Sequence, residues 1–110
     1  MKYYAVDRER WAKFNIFEQM GNIGSEVGRS LDSKLGKRQE DFEPALYRAL
    51  DLFDATVEDL LKQKSPRIKE VLRAKDQYLE VALNEHPDPN EAKSIEDYFM
   101  QFALTARMNR

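Results

Sequence analysis

Cysteine is absent from the 110 residues. Disulfides, thiolate metal ligands and cysteine nucleophiles are therefore excluded. Histidine occurs once, at His86 in the stretch "NEHPDP" between two helical segments. A lone loop imidazole is expected to be exposed and structural, and neither a catalytic group nor a metal or cofactor site is expected. Apolar runs are short, and none approaches the roughly 20 residues of a membrane span, so no membrane partner is expected. The opening "MKYYAV" is too short and too polar for a secretory signal, which makes the cytoplasm the expected location. Charge of one sign is also lacking. The formal net charge is −2, so bulk attraction to nucleic acid is not expected without segregation of the charges. Glycine and proline number four each, strand signals are scarce, and there is no internal repeat or low-complexity segment.

What the chain does have is helical periodicity. Hydrophobic residues make up 42% and charged residues 35%, the balance of helices with one apolar and one charged face. Asp7 suits an N-cap, with Val6 and Trp11 as a hydrophobic staple. Phe14, Phe17, Met20, Ile23, Val27, Leu31 and Leu35 then share one face, with Asn15, Glu18, Asn22, Glu26 and Arg29 opposite. Gly36 fits the C′ position. Asp41 can cap a second helix, with Pro44 tolerable only in its first turn. Phe42, Leu46, Ala49, Leu50, Phe53, Val57 and Leu60 line that helix. Ser65-Pro66 stops it and starts a third, whose inner face is Ile68, Val71, Leu72, Tyr78, Leu79 and Ala82. Ser94 and Asp97 resemble a capping box for a last helix lined by Ile95, Tyr98, Phe99, Phe102, Ala103 and Ala106. The spans predicted are 7–35, 42–64, 66–84 and 94–108. Their short connections predict one all-α domain, an antiparallel up-down-up-down four-helix bundle whose first helix is the longest.

Three of the four glycines fall inside that first helix, in "MGNIGSEVG". Each costs about 0.8–1 kcal/mol relative to alanine in a helix interior. Gly21, Gly24, Ser25 and Gly28 have the spacing i, i+3, i+4, i+7, which makes a bare groove beside the apolar face. Such a groove lets another backbone approach closely. Three uses fit: packing against Ala45 and Ala49 or Ala103 and Ala106 within one chain, a helix crossing between subunits, or a kink or backbone-lined pocket. It is not a phosphate loop, because no strand precedes it and no lysine-serine/threonine ending follows.

Catalytic arrangements known for helical bundles do not fit. A di-iron site needs Glu-x-x-His on two helices, and Leu83 stands three residues before the only histidine. Glu40-x-x-Glu43 lacks the Glu-x-x-Asp that magnesium-dependent nucleotide pyrophosphatases add. No arginine lies a few residues before His86, as helical ribonuclease toxins require. Asp51, Asp54, Glu58 and Asp59 read as a solvated outer face. An enzyme would need a pocket that raises the pKa of carboxylates such as Glu18, Glu26 or Asp54.

Two surface features remain. In an up-down bundle one end collects Lys2, Arg8, Arg10, Lys13, Lys62, Lys64, Arg67, Lys69, Arg107 and Arg110. Helix-dipole compensation accounts for Lys62, Lys64, Arg107 and Arg110, but not for Arg67 and Lys69, which begin a helix. Arg67 and Lys69, with Arg107 and Arg110 from the same end, are the candidate anion contacts, a minor route to nucleic acid. Met100, Leu104 and Met108 form a row at i, i+4, i+8 off the main stripe of the last helix. That row is a candidate oligomer or protein-partner surface.

The segment "NIGSEVGR" (22–29) followed by "KRQEDFEPALYRALDLFDATVEDL" (37–60) resembles the small bacterial four-helix-bundle proteins of ribosomal RNA intervening sequences, and a related set of prokaryotic helical proteins. Their pattern is Asn-Ile-Ala-Glu-Gly-x-Gly-Arg, then a helix with Phe, Ala-Leu and a late Glu-Leu. Asn22, Ile23, Gly28, Arg29, Phe42, Ala49, Leu50 and Leu60 fit it. Gly24-Ser25-Glu26-Val27 and Glu58-Asp59-Leu60 depart from it. The resemblance implies an oligomer, since that group forms rings. Its retroelement-associated members bind nucleic acid through basic surfaces, a property that transfers poorly to an acidic chain. The expectation is a non-enzymatic homo-oligomeric interaction module, with a nucleic-acid accessory module as the alternative.

Overall fold

A computed structural model describes residues 5–108. Among them there are five helices and no strand: α1 (Arg8–Trp11), α2 (Ile16–Leu35), α3 (Gln39–Lys62), α4 (Ile68–Ala82) and α5 (Pro89–Met108). The all-α expectation holds, but several boundaries need correction.

The predicted helix 7–35 is two helices. Asp7 does cap α1, its side chain accepting from the Glu9 and Arg10 N–H groups. The chain then tightens, with the Lys13 N–H bonded to the Arg10 carbonyl and the Phe14 N–H to the Trp11 carbonyl. Asn15 restarts it through a reciprocal box. Its side chain accepts from the Glu18 N–H, and the Glu18 carboxylate accepts from the Asn15 N–H, both at 2.9 Å. Two residues that looked like an outer face are a cap pair, which satisfies two orphan N–H groups at once. The first helix is consequently not the longest: α3 has 24 residues and α2 has 20.

Both ends of α3 also differ from expectation. It begins at Gln39, so Pro44 lies in the second turn and not the first. The Glu40 carbonyl then lacks its usual donor, which is tolerable because Glu40 and Pro44 are exposed to water. Gly36 is not the left-handed C′ residue of α2. It has φ −82°, and Lys37 takes φ 57°. The Arg38 N–H reaches the Ser33 carbonyl and the Lys37 N–H the Lys34 carbonyl, a Schellman ending. The end of α3 repeats it with Lys64 at φ 55° and Ser65 bonded back to Leu60. Pro66 precedes α4, whose first residue is Ile68. α5 starts at Pro89, not at 94. The Asp88 side chain accepts from the Asn90 N–H at 2.8 Å, with proline at the first helical position, so Ser94 lies inside the helix.

α2 is the axis of the core. Met20, Ile23, Val27 and Leu31 are fully buried between α3 on one side and α5 on the other. Burying each such side chain stabilises the fold by about 1.5–3 kcal/mol. The register is antiparallel to both neighbours: Gln19 meets Asp59 and Glu26 meets Arg48 on α3, while Gly21 meets Ala103 and Gly24 meets Phe99 on α5. α4 joins through Phe53–Tyr78 (ring centroids 6.0 Å) and a 3.0 Å hydrogen bond from Tyr98 to Glu70. Leu72, expected on the inner face of this helix, is exposed; Ala74 and Val81 are buried there instead.

A buried polar network ties α1 down. Trp11 Nε1 donates to Thr56 Oγ1 (2.9 Å), which itself donates to the Leu52 carbonyl. Gln19 Nε2 donates to the Trp11 carbonyl and to Asp59. The Val6 N–H and the Arg8 guanidinium both donate to Asp51. Deeper in, the Ser30 and Tyr78 hydroxyls bond across α2 and α4, and burial pushes the Tyr78 phenol up to about 12.

Candidate functional site: the groove between α2 and α5

The glycine positions decide how α5 lies on α2. A Cβ on Gly24 would stand 2.6 Å from the Cβ of Phe99, and one on Gly21 would stand 3.1 Å from the Ala103 Cα. α5 thus rests on the backbone of α2 at these two points. Gly28 is different. Its Cβ would meet only the Glu96 Oε1, at 3.3 Å. Ser25, grouped with the glycines by spacing, is exposed on the rim and takes no part in the close approach. Among Ala45, Ala49, Ala103 and Ala106, it is Ala103 that faces the stripe.

Along this contact an open groove of about 570 Å³ runs between the two helices. Its floor is Gly21, Gly24 and Gly28, and its walls include Arg29, Asp32, Glu96 and Met100. Towards Gly28, Glu96 hydrogen-bonds Asp32. Burial, followed by the Asp32 charge and that hydrogen bond, pushes the Glu96 carboxyl up to about 7, against the pull of Lys93. Glu96 can therefore hold a proton near neutrality. Arg29, Lys93 and Arg107 line the groove together with Asp32, Glu96 and Asp97, so its walls carry charges of both signs.

The other α2 edge carries a second charged cluster. Glu26 accepts from Arg29 at 2.7 Å and from Arg48 at 2.8 Å, with its side chain only 12% exposed. Sequence periodicity placed Glu26 and Arg29 on a plain outer face. The partners that make them a cluster lie 22 residues away, and the Asp32–Glu96 pair spans 64. Neither spacing leaves a local signal.

The candidate anion contacts are not gathered into one site. Arg67 is ion-paired with Glu70 (3.3 Å) and stacks over the Phe17 ring at 5.6 Å. Lys69 lines a separate groove of about 440 Å³ with Glu70 and Tyr98, where burial and the Glu70 hydrogen bond raise the Tyr98 pKa. Arg8, from the same end of the molecule, is engaged by Asp51 and Glu58. Arg110 and Lys2 lie outside the described residues. Met100, Leu104 and Met108 are 53%, 47% and 83% exposed along the outer face of α5. His86 is exposed, its backbone N–H bonded to Asn84 Oδ1. Among the described residues no group of three His, Asp or Glu side chains is placed to hold a metal ion, and no helix is long and apolar enough to cross a membrane.

No protein-family model, curated protein or solved structure matches the chain.

Proposed function

We propose that this chain is an up-down-up-down four-helix bundle, built from α2 to α5 with α1 as a strap, that acts as a homo-oligomeric interaction module and not as an enzyme. The observation that carries the reading is the row Met100, Leu104 and Met108. These three large apolar side chains are exposed in one row along a single helix, whereas the others that are exposed, Phe14, Leu35, Tyr47, Leu61, Leu72 and Leu83, are distributed over the rest of the chain. The glycine stripe supports it indirectly. It draws α5 close onto α2, which fixes the position from which the outer face of α5 is presented. The resemblance of residues 22–60 to ring-forming bundle proteins of ribosomal RNA intervening sequences points the same way. Sedimentation equilibrium tests the proposal: the chain is expected to self-associate with rising concentration, and Leu104→Glu is expected to abolish it. A strict monomer at millimolar concentration would overturn the reading.

The alternative, a nucleic-acid accessory module, is favoured less because Arg67 and Arg8 already have carboxylate partners. It requires affinity that falls steeply with salt and that is lost in Arg67→Glu/Lys69→Glu.

A further inference from the structure

We propose that α5 is a self-complementary seam, pairing antiparallel with α5 of a second copy of this chain through Asp97, Met100, Leu104 and Arg107. The inference rests on the homo-oligomer reading above and adds the partner, the direction and the register.

The four residues are separated by three, four and three positions, the repeat that keeps side chains along one seam between two helices. All four are exposed, while Phe99 and Phe102 between them are buried against the core. The two apolar residues sit in the middle, and charges of opposite sign flank them. That order selects the direction. A parallel pairing in register would set Asp97 against Asp97 and Arg107 against Arg107. An antiparallel pairing sets each Asp97 opposite the other copy's Arg107, and each Met100 opposite the other copy's Leu104. A two-fold axis demands that if position i meets j, then j meets i about one common centre. The pairs 97/107 and 100/104 satisfy this, because both are centred on residue 102. Charge and shape therefore specify the same register.

Within one chain Asp97 is bound by Lys93 at 3.1 Å, but those side chains are 62% and 74% exposed. An exposed i, i+4 pair of this kind contributes little and leaves the carboxylate able to turn to a better partner. Arg107 has no ion-pair partner among the described residues. The seam from 97 to 107 is about 15 Å long, shorter than a large obligate interface needs, so a weak, concentration-dependent association is expected.

Sedimentation equilibrium at low salt on the full chain and four samples tests this: Asp97→Arg, Arg107→Asp, the double exchange, and an equimolar mixture of the two single variants. All substituted positions are exposed, and far-UV circular dichroism checks that each sample remains folded. Each single exchange is expected to weaken self-association by about tenfold or more, since every dimer then holds two like-charge contacts. The double exchange and the mixture are expected to restore it. Because the chain has no cysteine, direction can be read by cross-linking. Met100→Cys mixed with Leu104→Cys should oxidise to a covalent dimer faster than either alone. A chain that self-associates with an affinity unmoved by either single exchange would overturn the seam and leave the oligomer reading standing. So would failure of the double exchange to rescue. A strict monomer would overturn both.

Discussion

Alanine substitution along the α2 stripe should change sign within one turn of helix. In an exposed helix interior, Gly→Ala gains about 0.8–1 kcal/mol from propensity alone. Gly28→Ala should realise most of this gain, because the new methyl meets only the far end of the Glu96 side chain at 3.3 Å, which can swing away. Gly24→Ala should not. Its methyl would lie 2.6 Å from Phe99 Cβ, which is 0.8 Å inside the 3.4 Å where ordinary contact begins. A Cβ cannot move without its backbone. The Phe99 ring is also held by Phe53 (5.9 Å) and Tyr98 (5.2 Å), so relief requires lifting α5 as a whole. Overpacking of this kind costs about 1–3 kcal/mol. Set against the propensity gain, Gly24→Ala should be destabilised by about 1 kcal/mol, Gly28→Ala stabilised by about 0.5–1, and Gly21→Ala should fall between them. For a domain of this size 1 kcal/mol is about 4 °C, so Gly28→Ala and Gly24→Ala should melt roughly 6–8 °C apart. Thermal unfolding followed by circular dichroism reads this directly. If Gly24→Ala melts at or above Gly28→Ala, α5 does not rest on the α2 backbone and the packing argument fails.

Two further outcomes follow from the polar groups. The Glu96 carboxyl has a folded-state pKa near 7, above its ordinary 4.5. Its contribution to stability is therefore complete below pH 4.5 and is lost as the pH rises through 7. Glu96→Gln should flatten the melting temperature between pH 5 and 8 and should be more stable than the parent at pH 8; an unchanged slope would show that the Glu96 carboxyl is not raised in the folded chain. Thr56→Val keeps the shape of the side chain but leaves the buried Trp11 N–H without its acceptor, at a cost of about 1–3 kcal/mol. Trp11→Phe, which shrinks a buried side chain, should cost less in the Thr56→Val background than in the parent, and urea denaturation showing plain additivity of the two changes would refute the pairing.

Much of the fold is legible in residue order. The stripe Met20, Ile23, Val27, Leu31 and the stripe Phe42, Leu46, Ala49, Phe53, Leu60 are where 3.6-residue periodicity puts them, because an amphipathic helix has only one face to bury. The misplaced boundaries share one cause. Caps are made by polar side chains that serve equally well as solvent-facing residues, so Asn15 and Glu18 read as surface until their reciprocal hydrogen bonds are seen. The left-handed end at Lys37 was hidden because the neighbouring Gly36 is the residue that favours such a conformation, and the one at Lys64 because lysine gives no signal for it.

The amino-acid order by itself determined that the chain is all-helical, that thiol chemistry is impossible in it, and that Gly21, Gly24 and Gly28 share one side of a helix. These are local properties, set by residue type and by the angle between successive side chains. Only the tertiary structure decided that Phe99 and Ala103 are what the glycines admit, that Glu96 meets Asp32, and that Arg48 reaches Glu26. Most of these contacts join residues far apart along the chain. Their partners are selected by how helices settle against one another, and no periodicity within a single helix encodes that.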